Sequence, residues 1–285
     1  MRIVLRRLGY GLAFLLLLAL LAALWVWIAS WWATTHTAAP RPERLTEATP
    51  AQLADGERQA QILGCVSCHG EGLAGSKMFD EPGVATIWAS NLTDVAARAS
   101  DDQLAQAIRQ GVGHDGRPLW VMPSALFARQ SDAEVAALIA YVRSLPRRGE
   151  PTPETSLGLL GRVGIALGRF RSAPEHLEEF RARQPFDVGP GQAAGRRIAA
   201  TVCADCHGPD LTGGSAGPDV TAPDLAVAAA YDLEQFRTLM RKGVPPGGRD
   251  LGLMGKVAAK DFSHFTDEEI GALHSYLKAR AERQP

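Results

Sequence analysis

All four cysteines of this chain lie in two copies of one unit, Cys65-Val66-Ser67-Cys68-His69 and Cys203-Ala204-Asp205-Cys206-His207. Two thiols three residues apart share one helical turn. Both can reach the vinyl groups of a haem and form thioethers, and the next residue then sets an imidazole over the iron. Cys65, Cys68, Cys203 and Cys206 are therefore candidate haem attachment points, and His69 and His207 candidate proximal ligands. Other uses of paired cysteines fit less well. A disulfide within each pair suits an exported protein but leaves both histidines unexplained. A thioredoxin-like redox pair expects a βαβ pattern that the sequence lacks. A four-cysteine zinc site would have to join pairs a whole domain apart.

A closed haem iron needs a second axial ligand, and a methionine thioether raises its reduction potential. Among the methionines, Met1 opens the chain, Met78 follows the first motif closely, and Met240 falls on an expected helix where core packing accounts for it. Met122 and Met254 remain. Each lies eleven residues after the glycine of a matched pair, Gly111-Val112 and Gly243-Val244. That correspondence makes them the expected distal ligands. His114 rivals Met122, but Pro246 stands at its counterpart; His264 and His274 are expected at the surface. Each proximal histidine should give its other ring proton to a carbonyl, and Pro82 and Pro218 are the expected acceptors.

These residues sit on a repeat. The two motifs, with Leu73 and Gly75 against Leu211 and Gly213, match at an offset of 138 residues, and Glu134, Leu138 and Tyr141 match Glu269, Leu273 and Tyr276. Helices are expected over about 50–64, over 100–110 behind a Ser100/Gln103 capping box, and after a Ser131/Glu134 box. The order recurs with a helix before Cys203, one over about 232–242, and one opening at Thr266 and Glu269. The expected fold class is all-α: two tandem haem domains, 51–146 and 190–285, joined by a connector, 147–189, that matches neither. Within the connector, apolar residues 157–170 carry Arg162 and Arg169 at helical spacing. This segment reads as packed against one domain, or as touching a membrane surface or a partner.

Ahead of the repeat, Arg2, Arg6 and Arg7 precede an uncharged stretch from Leu8 to Trp32. As a helix this reaches roughly 37 Å, enough to cross a hydrocarbon core of about 30 Å. The aromatic cluster Trp25, Trp27, Trp31 and Trp32 suits the far interface. Residues 1–32 are thus expected to be an uncleaved single-pass anchor in the cytoplasmic (inner) membrane. The haem domains would face the periplasm or cell exterior, and residues 33–50 would form a tether. The formal net charge of -1, with no basic block, argues against a nucleic-acid partner.

The haem units resemble class I cytochromes c, each with a helix ending in Cys-x-x-Cys-His-Gly, a distal Met loop and a final helix opening Ser/Thr-Asp-x-Glu. The first unit resembles the haem domains of cytochrome c subunits of membrane-bound alcohol, aldehyde and gluconate dehydrogenases. It does so through Asn91-Leu92-Thr93, Asp115-Gly116-Arg117-Pro118-Leu119-Trp120 and Met122-Pro123. Asp94 stands where those subunits usually carry Pro, and they hold three haems against two motifs here. The resemblance implies two haem c groups, His/Met ligation and electron transfer without catalysis. The chain would then be a respiratory-chain carrier between a quinol-oxidising or periplasmic dehydrogenase and a terminal oxidase or soluble cytochrome. The alternatives are the cytochrome subunit of a dehydrogenase complex, or a di-haem peroxidase, which would need one iron able to open a coordination position.

Overall fold

A computed structural model describes residues 2–46, 48–217 and 220–283. The apolar N-terminal segment forms one continuous helix, α1 (Arg2–Thr35). It is apolar on every side and exposed along its span, with Ser30 its one buried residue. By length and composition it is able to cross a membrane.

The first haem-motif unit is built on a crossed helix pair. α2 (Pro50–Ile62) is set off by a Thr49/Gln52 capping box and by Pro50 at its first position. It leads through left-handed Gly64 into the short α3 (Cys65–His69). An antiparallel hairpin, β1 (Ser76–Glu81) and β2 (Ala85–Ala89), follows, then α4 (Leu92–Arg98), α5 (Asp101–Gln110), α6 (Ser124–Phe127) and α7 (Asp132–Ser144). The expected Ser100/Gln103 and Ser131/Glu134 boxes open α5 and α7. α2 crosses α7 so closely that a Cβ on Gly56 would lie 2.1 Å from the Ala137 carbonyl oxygen. Only a residue without a side chain permits that approach.

The connector is folded. β3 (Ser156–Leu157) adds to the edge of β2, α8 (Leu159–Ala166) packs on α1, and α9 (Ala173–Ala182) lies beside α6. Because α8 ends at Ala166, Arg169 is off the helix and does not share a helical face with Arg162. Within the expected tether, residues 41–43 are held against the first unit. Glu43, nearly buried, pairs with Arg109 at 2.7 Å, and Arg41 N–H donates to Gln110 at 2.8 Å, so residues 41–43 are laid along α5.

The second unit repeats the plan. α10 (Ala193–Ile198) runs through a π-turn into α11 (Ala204–His207). The hairpin β4 (Gly214–Gly217) and β5 (Val220–Ala222) follows, then α12 (Leu233–Lys242), α13 (Leu253–Lys260) and α14 (Asp267–Arg283). α10 crosses α14 at Gly195, where a Cβ would again lie 2.1 Å from a carbonyl oxygen, that of Ala272. Helices dominate, as an all-α class requires. The two hairpins, which sequence periodicity did not reveal, are short inserts at matching places after each motif.

Candidate functional site

In both units the motif is a single helical turn ended by a glycine at positive φ, Gly70 (76°) or Gly208 (79°). The chain then doubles back. Gly75 N–H donates to the His69 carbonyl at 2.8 Å, and Gly213 N–H to that of His207 at 2.9 Å. Between them Leu73 and Leu211, both fully buried, hold left-handed φ of 56° and 66°. A leucine seldom adopts this conformation, and two at matched positions point to a loop whose shape serves the site.

The reversal aims each imidazole. His69 Nδ1 lies 2.7 Å from the Ser90 carbonyl oxygen, and His207 Nδ1 lies 2.7 Å from that of Pro223. A carbonyl only accepts, so Nδ1 carries the proton and Nε2 keeps its lone pair. Burial holds both histidines below their ordinary pKa, outweighing the carbonyl bonds, so both rings stay neutral. This is the state that ligates a metal. The acceptors are not Pro82 and Pro218. Pro82 lies in the turn at the far end of the first hairpin, roughly 17 Å along β1 from its start, and Pro218 lies outside the described residues. The carbonyl comes instead from where the returning strand leads into the next helix.

Each acceptor is followed by a side chain that pins it. After Ser90, buried Asn91 caps α4 through Oδ1 to Thr93 N–H (3.1 Å) and donates from Nδ2 to the Arg148 carbonyl (2.7 Å). After Pro223, Asp224 accepts from Ala226 N–H at 2.7 Å and pairs with buried Arg280 at 2.8 Å. Sequence reasoning missed these positioning residues. The signal was there in the matched caps Asn91-Leu92 and Asp224-Leu225. Asp94 has its own account, since its buried carboxylate pairs with Arg98 at 2.5 Å and with Arg147.

No disulfide joins any two of the four cysteines. Burial first, then the neighbouring cysteine, pushes Cys65 and Cys203 up to about 12, so neither is a poised thiolate. No cluster of three or more His, Cys, Asp or Glu suited to a metal ion occurs among the described residues. Zinc is a poor fit, and paired thiols beside a neutral imidazole suit a covalently attached haem.

Met122 and Met254 are half-buried and pack against one apolar cluster that runs through both units and takes in Cys203, Phe236 and Phe262. Met122 is on the loop before α6. Met254 belongs to the first turn of α13, rather than to a loop. Met240 is buried in the core, as expected. His114 is half-buried, and His264 is exposed. His274 departs from its expected surface position. It is buried, with Nε2 donating to the Tyr231 carbonyl at 2.8 Å and its ring against Phe236.

The two motifs lie at the junction of the units. Ser67 donates to Asp261 at 2.6 Å, and Arg58 pairs with Glu269 at 2.7 Å. On the other side a cavity of about 660 Å³ separates Met122 and Pro123 from Asp205 and Gly208, with His176 of α9 in its wall. Each motif thus lies close to the other unit.

What the fold and site define is a protein with two Cys-x-x-Cys-His turns, each presenting a neutral imidazole beside paired cysteines. The cytochrome c family model matches residues 53–146 and 192–281, and the chain belongs to that family. Its cofactor is haem c and its role is electron transfer. It is similar to the cytochrome c subunit of alcohol dehydrogenase (quinone) from Gluconacetobacter polyoxogenes, with 26% identity over 276 residues, covering 82% of this chain and 57% of that one. The fructose dehydrogenase cytochrome subunit of Gluconobacter japonicus is 25% identical over 269 residues, covering 82% and 54%. The gluconate 2-dehydrogenase cytochrome c subunit of Pantoea cypripedii is 27% identical over 271 residues, covering 82% and 60%. The chain spans less than two thirds of the length of these relatives.

Proposed function

We propose that the chain carries two haem c groups, one in each unit, and relays electrons between them. Cys65 and Cys68 would hold the first by thioethers, with His69 and Met122 as axial ligands. Cys203 and Cys206 would hold the second, with His207 and Met254. The domain limits are taken as 51–146 and 190–285. The observation that carries this reading is the matched pair of histidines, each with Nδ1 committed to a carbonyl and Nε2 left free. Bound haem supplies an iron that takes up and gives back one electron. The protein's part is to orient the imidazole, to keep it neutral, and to wall the site with apolar side chains that exclude water. Two thioether-held groups on motifs that meet at one junction support a relay.

α1 is taken as a single-pass anchor in the cytoplasmic membrane, with both haem units on the exported side. The partners are then redox proteins, with a quinol-oxidising or periplasmic dehydrogenase as donor and a terminal oxidase or soluble cytochrome as acceptor. The named relatives favour a more specific arrangement, in which the chain is the electron-transfer subunit of a membrane-bound dehydrogenase. Electron paramagnetic resonance of the oxidised holoprotein tests the site. Two low-spin ferric signals, with no reaction toward peroxide, are expected. A high-spin, peroxide-reactive iron would favour a peroxidase instead. Co-purification from native membranes identifies the partner.

A further inference from the structure

We propose that α8 and the turn after it form a second membrane contact, an interfacial helix that lies on the lipid surface beside the exit of α1. The proposal rests on reading α1 as the membrane anchor. Arg162 of α8 donates to Ser30 at 3.2 Å, and its guanidinium lies 4.1 Å from the centre of the Trp27 ring. α8 thereby meets α1 within the tryptophan cluster expected at the membrane interface. Trp27 lies about 7.5 Å along the helix from Trp32, and interfacial helices bury their apolar side to about 5–10 Å.

The surface that α8 leaves uncovered is apolar. Leu159, Leu160 and Leu167 are 70%, 62% and 60% exposed, and Phe170 is 49% exposed. This exposure is built in. Leu157 pairs with Ala85, Gly158 N–H donates to the Val84 carbonyl and Leu160 N–H to that of Gly83, both at 2.9 Å. A Cβ on Gly161 would lie 2.2 Å from the Val84 carbonyl oxygen. α8 is therefore fixed between the first haem unit and α1, and its leucines cannot turn inward.

Charge agrees with a lipid occupant. Arg162 is engaged with α1 and Arg171 pairs with Glu179, which leaves the exposed Arg169, beside the apolar leucines, as the basic side chain that suits anionic headgroups. Position then decides between lipid and protein, because a helix clamped to α1 at interface depth meets the bilayer first. The consequence is orientation. α1 alone would leave the first haem unit free to turn about the anchor, whereas a second contact fixes which of its faces looks away from the membrane.

The test uses the full-length holoprotein with a photo-crosslinking amino acid placed singly at Leu15, Leu160, Leu167 or Arg249, in native membranes and in nanodiscs containing phosphatidylglycerol. Retained haem absorbance shows that each variant is folded. Lipid adducts are expected at positions 15, 160 and 167, several-fold above position 249. Adducts at 15 with none at 160 and 167 would overturn the proposal while the anchor stands. Absence at all three would overturn both readings. Adducts of 160 and 167 to another polypeptide in native membranes would make this a protein-docking face and overturn the lipid assignment.

Discussion

Ser67, inside the first haem motif, donates its hydroxyl to Asp261 of the second unit at 2.6 Å. This bond ties the attachment turn of one unit to the segment that follows Met254 in the other. The nearby Arg58 and Glu269 pair, with about 29% of each side chain exposed, reinforces the same junction. Partial exposure discounts that ion pair to about 1 kcal/mol or less. Ser67→Ala should cost about 1 kcal/mol. A double-mutant cycle with Asp261→Ala, read by denaturant unfolding, should show the two positions coupled. Additive effects would mean that the units do not hold this arrangement in solution.

Asp224 should make the second unit sensitive to acid. Burial alone would raise its pKa, but hydrogen bonds from Arg280 and Ala226 N–H prevail and hold it below the ordinary carboxylate value. A group depressed in the folded state contributes stability that is present above its unfolded value of about 3.9. That stability is lost as pH falls through the lower folded value. Asp224→Asn should remove this acid-dependent loss and cost about 2 kcal/mol at neutral pH. The figure is below the full cost of an orphaned buried cation because the carboxylate is 37% exposed. By loosening Pro223, it should also shift the potential of the second haem and not the first. An unchanged potential would show that Asp224 does not position His207.

The axial methionines give separable effects. Met122→Ala should lower the potential of one haem and open its iron to added imidazole, and Met254→Ala should do the same to the other. Redox titration with optical detection reads both. An unchanged spectrum in the first variant would direct attention to His114.

The crossing glycines are a test of packing. Gly56→Ala or Gly195→Ala forces a methyl to within 2.1 Å of a backbone carbonyl oxygen, so the helices must part. A loss of about 2–3 kcal/mol is expected. Gly271 in α14 has nothing within 4 Å of its missing Cβ, and Gly271→Ala should stabilise by about 0.5–1 kcal/mol. Thermal unfolding of the holoprotein compares the three.

The haem-bearing turns, the repeat and most principal helices were legible in the sequence because each has a local signature. The motif carries its own chemistry, and the caps at Ser100, Ser131 and Thr266 announce their helices. Other features depend on contacts distant in sequence. The hairpins after each motif carry no strong alternation, so the sequence points to Pro82 and Pro218 as acceptors, short of Ser90 and Pro223 where the chain returns. His274 reads as a surface residue until Phe236 and the Tyr231 carbonyl close over it. Residues 33–50 look like a tether because their composition is loop-like. The placement of Arg41 and Glu43 comes from Arg109 and Gln110, across a separation that periodicity does not report.

The central claim is one covalent haem on each motif. Intact-mass analysis of the denatured protein, paired with the pyridine haemochrome, counts them directly. The wild-type chain should retain two haems per polypeptide, and Cys68→Ala or Cys206→Ala should each lower covalent haem. Retention of two haems in either variant, or a wild-type chain carrying fewer than two, would contradict the account.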